Sequence, residues 1–349
     1  MWRRSGVDPL PAAPICFGPT LRETRRTMSS DIPIASDPSQ DPVEPGSAGV
    51  PQTGPIVARP RPGMMDSSSG RAPDGPDASP TETSQVAGYA LPRVMAIANQ
   101  KGGVGKTTTT INLGACLAEL GFRTLVIDLD PQGNASTGLG IENRGLETSM
   151  YHMIMHEVPL EDCIEPAAVK NLFVAPASLD LAGTEIELVP AFSRENRLKR
   201  AIEAVRDDYD YILIDCPPSL GLLTVNGLTA ATEVLVPIQC EYYALEGLGQ
   251  LLRNVDLVRR NLNPELTVST IVCVMYDART KLADQVVREV REHFGDKVMR
   301  TVVPRTVRLS EAPSFGQPII TFDSSSRGAV AYRMVAKEVS AHGTPRGTR

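Results

Sequence analysis

Ten residues, Asn-Gln-Lys-Gly-Gly-Val-Gly-Lys-Thr-Thr at positions 99–108, constrain this 349-residue chain more than any other stretch. Gly102, Gly103 and Gly105 let the backbone curl until successive N–H groups point at one anion. The apolar run at 94–98 (Val-Met-Ala-Ile-Ala) predicts a buried strand before the loop. Residues 107–120, with apolar side chains at Ile111, Leu113, Ala115, Leu117, Ala118 and Leu120, predict a buried helix after it. Strand, glycine loop, helix is the context in which such a motif reads as a phosphate-binding loop. The helix N-terminus adds partial positive charge at the same place. Lys106 supplies a full charge for β- and γ-phosphates, the Thr107 hydroxyl suits Mg²⁺, and Thr108 reaches an α-phosphate. Lys101 is surplus to this scheme, since a simple phosphate loop needs one lysine.

Two later segments supply carboxylates. Residues 124–128 (Thr-Leu-Val-Ile-Asp) read as a second buried strand, continuing into Asp128-Leu129-Asp130-Pro131-Gln132-Gly133-Asn134. Residues 211–218 (Tyr-Ile-Leu-Ile-Asp-Cys-Pro-Pro) read as a third strand, which ends in Asp215. Carboxylates at the C-terminal ends of strands in an α/β sheet sit where ligands bind. Asp215 matches the strand-end aspartate that holds Mg²⁺, here through a water, in phosphate-loop NTPases. Further strands are expected at 172–175, 233–237 and 268–275, and helices at 194–205, 242–258, 282–294 and 327–339. Strands alternating with helices predict a mostly parallel, doubly wound sheet of phosphate-loop NTPase type, covered on both faces.

Composition divides the chain. Residues 1–92 hold 16 of the 29 prolines and no lysine, and their apolar runs are short. Such a segment cannot bury enough surface to offset its ordering entropy, so a disordered Pro-rich tail is expected. Residues 93–340 form the catalytic domain, and 341–349 a polar C-terminal tail. Arg3 and Arg4 raise the question of an export signal, but Pro9, Pro11 and Pro14 interrupt any apolar core behind them. Met28 is an alternative start. No run of about 18 apolar residues occurs, so no spanning helix is expected. The six cysteines (Cys16, Cys116, Cys163, Cys216, Cys240, Cys273) show no Cys-x-x-Cys spacing, which suits buried thiols in a reducing cytoplasm. His152 and His156 lack the further ligands a metal site needs.

The loop with its second lysine resembles the deviant Walker A motif of the ParA/MinD family of ATPases. The resemblance implies that two subunits sandwich two ATP molecules and that Lys101 reaches the partner's nucleotide. Asp128–Asn134 is similar to the family's first switch region, which implies that Asp130 orients the attacking water. Asp215-Cys216-Pro217-Pro218-Ser219 is similar to the Walker B strand leading to the second switch. The catalytic set is then Lys101, Lys106 and Asp130. Lys101, Gly102, Gly103, Val104, Gly105, Lys106, Thr107 and Thr108 are the phosphate side of the nucleotide site. Pro304 and Arg305, at an expected strand end, are candidates for its adenine side. Thr107 and Asp215 are the Mg²⁺ residues.

A net charge of −6 gives no overall sign of nucleic-acid binding. Residues 279–308 are locally basic, with eight Lys or Arg against four Asp or Glu. Such a patch can bind phosphate backbones without reading sequence, although a charge run is commonly a solvated helix face. Ala278-Arg279-Thr280 and Val307-Arg308-Leu309-Ser310-Glu311-Ala312-Pro313 resemble chromosomal ParA proteins of the Soj type. That resemblance, over residues 93–340, implies an ATP-bound homodimer that binds DNA non-specifically through Arg279 and Arg308. It also implies a ParB-type centromere-binding partner that stimulates hydrolysis, and a cytoplasmic, nucleoid-associated location. The alternative within the family is a MinD-like membrane-associated division-site regulator. It would need an amphipathic membrane helix at the C-terminus, and the polar tail offers no bulky apolar face for one. No stable membrane association is therefore expected.

Overall fold

In the computed structural model, residues 90–142, 145–241 and 244–341 are described. Residues 1–89 of the expected tail, and 342–349 at the C-terminus, lie outside them. Seven strands form one sheet: β1 (Arg93–Ile97), β2 (Thr124–Asp128), β3 (Glu165–Pro166), β4 (Leu172–Ala175), β5 (Tyr211–Asp215), β6 (Glu233–Gln239) and β7 (Thr267–Val274). Their order is β3-β4-β2-β5-β1-β6-β7. Every pairing is parallel except β3 with β4. The chain leaves β1 for one side of the sheet, returns through β5 and continues through β6 to the other side. That reversal opens a crevice at the C-terminal ends of the central strands, where doubly wound sheets bind ligands.

The central strands are buried at every position. This follows from their composition, since a parallel strand covered on both faces needs apolar residues throughout rather than alternation. Alternate residues of β1 enter two separate cores: Val94 and Ala96 one, Met95 and Ile97 the other. On the second face lie α1 (Lys106–Glu119), α2 (Asn134–Gly138) and, from the end of the chain, α9 (Val307–Glu311), α10 (Ile319–Phe322) and α11 (Arg327–Ser340). On the first lie α3 (Met150–His156), α4 (Leu181–Glu187), α5 (Arg197–Val205), α6 (Leu222–Ala230), α7 (Ala244–Asn261) and α8 (Lys281–Phe294). α11 turns Ala329, Tyr332, Val335 and Ala336 inward, and the Tyr332 hydroxyl lies 3.1 Å from Thr109 Oγ1 of α1. At the opposite end of the sheet from the crevice, Arg93 makes a buried two-bond pair with Glu233, at 2.8 and 2.6 Å. It also donates to the Val339 carbonyl.

Among the departures from the sequence expectation, three concern the sheet and its flanks. The antiparallel β3 is two exposed residues, too short for any periodicity to announce. The helix expected over 242–258 runs on to Asn261; its first two expected positions lie outside the described residues. The strand expected to end at Pro304 and Arg305 does not form: Val303 donates to the Cys273 carbonyl, Arg305 donates to the Tyr276 carbonyl, and Tyr276 bridges Pro304, before α9 begins at Val307.

Candidate nucleotide site

β1 delivers the chain to the crevice, where Asn99 fixes the start of the loop. Its side-chain amide donates to the Pro237 carbonyl of β6 at 2.9 Å, and its Oδ1 accepts the Lys101 N–H at 3.1 Å. Gly103 and Gly105 then take φ values of 74° and 81°, left-handed conformations that a side chain would strain. A Cβ at Gly102 or Gly103 would meet nothing within 4 Å, so this wall of the loop is open. At Gly105 the nearest atoms belong to Val274 and Met275, at the end of β7. α1 begins at the next residue with no side-chain cap, so its first N–H groups are left for a ligand.

Lys106 is 6% exposed at the base of the loop. Burial lowers its pKa, opposed by the nearby Asp215 and Asp130 carboxylates. Asp215, fully buried, accepts from Thr110 Oγ1 at 2.9 Å through Oδ1. Its Oδ2 is buried without a hydrogen-bond partner in the protein. The strand register sets Asp215 directly opposite Asp128. Burial, then the charge of Asp128, push the Asp215 carboxyl above its ordinary value; Thr107, Thr110 and Lys106 pull the other way. Asp128 is also raised by burial, although Ser136 donates to it through both N–H (2.8 Å) and hydroxyl (2.7 Å). An orphaned carboxylate oxygen, a second carboxylate alongside and a neighbouring threonine hydroxyl suit a hydrated divalent cation.

Asp130 is half-buried two residues beyond Asp128. Its Oδ1 accepts the Gln132 N–H at 3.0 Å, and its carbonyl accepts the Gly133 N–H, so the segment closes as a tight turn into α2. Lys101 is different. Its side chain is 41% exposed and contacts Glu241 at 3.4 Å, on the loop after β6. It points to its own chain's rim, away from Lys106's buried position.

The crevice thus gathers Lys106, Thr107, Asp130 and Asp215. Pro304 and Arg305 sit further along the same end of the sheet. They line a groove of about 830 Å³ with Tyr276, Asp277, Arg279 and Arg327. Tyr276 follows directly on Met275, the residue against Gly105. Arg279 therefore shares a groove with the adenine-side candidates. Arg308, on α9, turns to Glu311 (3.2 Å) and Asp323 (3.5 Å). Four contributors escape the sequence reading: Asn99 as anchor, Thr110 on Asp215, Ser136 on Asp128, and Glu241 on Lys101. Thr110 has a signal, since it lies four residues, one helical turn, after Lys106. Glu241 has none.

The chain is similar to known proteins in sequence and in fold. Residues 92–268 match a family model described as an AAA domain. The chain is 59% identical over 251 residues to the sporulation initiation inhibitor protein Soj of Bacillus subtilis (strain 168), spanning 72% of this chain and 99% of that protein. It is 54% identical over 249 residues to the chromosome partitioning protein ParA of Caulobacter vibrioides, spanning 71% and 93%. Among solved structures, cobyrinic acid a,c-diamide synthase from Mycobacterium smegmatis with bound ATP analog and magnesium superposes with a TM-score of 0.62. The two are 38% identical, over 73% of this chain and 99% of that chain.

Proposed function

The chain belongs to the ParA/Soj family of chromosome-partitioning ATPases, and from that premise we propose that ATP closes it into a DNA-binding dimer which hydrolysis releases. The observation that carries the reading is the division of labour between two lysines. Lys106 is buried beside Asp215, while Lys101 is exposed at the rim of the crevice.

In this mechanism the open N–H groups of residues 102–108 receive the phosphates, and Lys106 neutralises the charge that builds on the γ-phosphate. Thr107 and, through a water, Asp215 would hold Mg²⁺, which would supply positive charge against the phosphate oxygens. Asp130 orients the attacking water from the turn that anchors α2. Lys101 leaves Glu241 and reaches the nucleotide of the second subunit, so neither subunit has a complete site alone. Pro304 and Arg305 flank the adenine. In the closed dimer Arg279 and Arg308 meet DNA backbone phosphates without reading bases. A ParB-type partner accelerates hydrolysis, and the dimer opens. A protein cycling this way works in the cytoplasm on the nucleoid.

A MinD-like membrane role would require a free amphipathic C-terminal helix. The apolar face of α11 is packed on α1, and among the described residues no helix is long and apolar enough to cross a membrane. Co-sedimentation with duplex DNA in ATP, in ADP and without nucleotide tests the proposal, with liposomes as the parallel arm. Pelleting with DNA in ATP alone is expected. Pelleting with liposomes but not DNA would overturn it.

A further inference from the structure

Both arginines assigned to DNA are held by the chain's own acids, and unequally. Arg279 forms a two-bond pair with Asp277: Nε to Oδ1 at 2.9 Å and Nη2 to Oδ2 at 2.7 Å. Asp277 Oδ1 also accepts the Arg279 N–H at 3.0 Å, and the Asp277 carbonyl accepts from Thr280, so the carboxylate sits in a fixed turn. The Arg279 side chain is 88% exposed, so this contact fixes its direction without burying it. Arg308 has longer contacts, to Glu311 and Asp323, and lies over the Phe322 ring at 5.8 Å. In the same groove, Arg327 is exposed and has no ion-pair partner within 4 Å among the described residues.

A planar guanidinium has two two-pronged edges; Asp277 occupies the Nε–Nη2 edge of Arg279, and its negative charge opposes a phosphate approaching the remaining Nη1–Nη2 edge. Taking the DNA reading above as its premise, we infer that Arg279 and Arg327 seat a DNA backbone phosphate in this groove, apart from the Pro304–Arg305 wall left to the adenine. Arg327 is its standing cationic contact, and Asp277 is a built-in competitor that latches Arg279 away from DNA. The Asp277 carboxylate is pushed down to about 2 by Arg279, with a smaller contribution from Arg305, so the latch carries its charge throughout the physiological range. Its effect is to keep each phosphate contact weak, which suits a protein that must leave DNA every cycle. Arg327 opens α11 immediately after the Ser326 cap, so replacing its side chain leaves the helix start intact.

Asp277→Asn tests the latch cleanly, because the amide keeps an Oδ1 acceptor for the turn while losing the charge. Binding to a fluorescent duplex is followed by anisotropy in ATP, across a salt series, with thermal melting as the check on folding. An exposed ion pair of this kind predicts roughly 2- to 5-fold tighter DNA binding by Asp277→Asn. Arg327→Ala is expected to bind more weakly, with the slope of log K against log salt smaller by about 0.9 in magnitude, one phosphate contact. Folded Asp277→Asn protein that binds DNA no tighter than the parent overturns the latch. An unchanged salt slope in Arg327→Ala overturns the seat. If the unsubstituted protein in ATP does not bind the duplex at all, the DNA reading itself has failed, which is a distinguishable result.

Discussion

Replacing Asp215 with asparagine should make the metal-free protein more stable while destroying its activity. The carboxyl is fully buried, sits opposite Asp128 in register, and has one oxygen with no partner. Its pKa is raised by burial and by Asp128, so the folded state holds a proton that the unfolded chain has released. A group with a raised folded pKa stabilises the fold fully below its unfolded value, about 3.9 for aspartate, and loses that contribution as pH climbs through the folded value. Metal-free stability should therefore fall with rising pH across the range above about pH 4, by up to about 1.4 kcal/mol per unit from this group. The Asp215→Asn variant would escape that loss, because the amide keeps an acceptor for Thr110 and removes the repulsion with Asp128. Escaping that proton uptake is worth about 2 kcal/mol or more near neutral pH. For a domain of this size that raises Tm by roughly 4–8 °C. Circular-dichroism melts in chelator, at several pH values, give the measurement. The gap between variant and parent should widen from about pH 4 toward neutrality, while Mg²⁺-dependent ATP turnover is abolished at every pH. A variant less stable than the parent at neutral pH, or a gap independent of pH, would refute the electrostatic account of the site.

Two other substitutions separate hydrolysis from DNA contact. Asp130→Ala should bind ATP and dimerise yet remain on DNA, with turnover falling by a factor of about 100 or more, in the range for loss of a residue that positions a reactant; wild-type turnover would rule out the role given to it. Arg308→Glu should leave ATP-dependent dimers intact and abolish DNA co-sedimentation, because it reverses the charge of an exposed side chain proposed to meet phosphates. Normal DNA binding by that variant would remove α9 from the interface.

The parts legible in sequence are those whose physics is local. Buried parallel strands are continuous apolar runs, so β1, β2 and β5 stand out, and the glycines of the loop announce a backbone that only they adopt easily. Asp130 and Asp215 are visible because each follows such a run. What stays hidden depends on distant segments meeting. Asp128 lies opposite Asp215 only because β2 and β5, far apart in sequence, pair in that register. Lys101 finds Glu241 across 140 positions, on the loop after β6. Pro304 and Arg305 are expected at a strand end, but their segment runs beside the end of β7 through a few hydrogen bonds and one bridge without forming a strand of its own. The flanking motifs assign Arg279 and Pro304 to different ligands, and only the fold sets them in one groove.

The central claim is that one chain carries half of a site, completed by Lys101 of a second copy. Sedimentation velocity tests this most directly, using Asp130→Ala protein to prevent turnover, with ADP, with ATP, and with ATP after the further change Lys101→Ala. The account predicts monomer in ADP, dimer in ATP, and monomer in ATP once Lys101 is removed, with ATP still bound. A single mass in all three conditions, or a dimer that ignores the loss of Lys101, would contradict it.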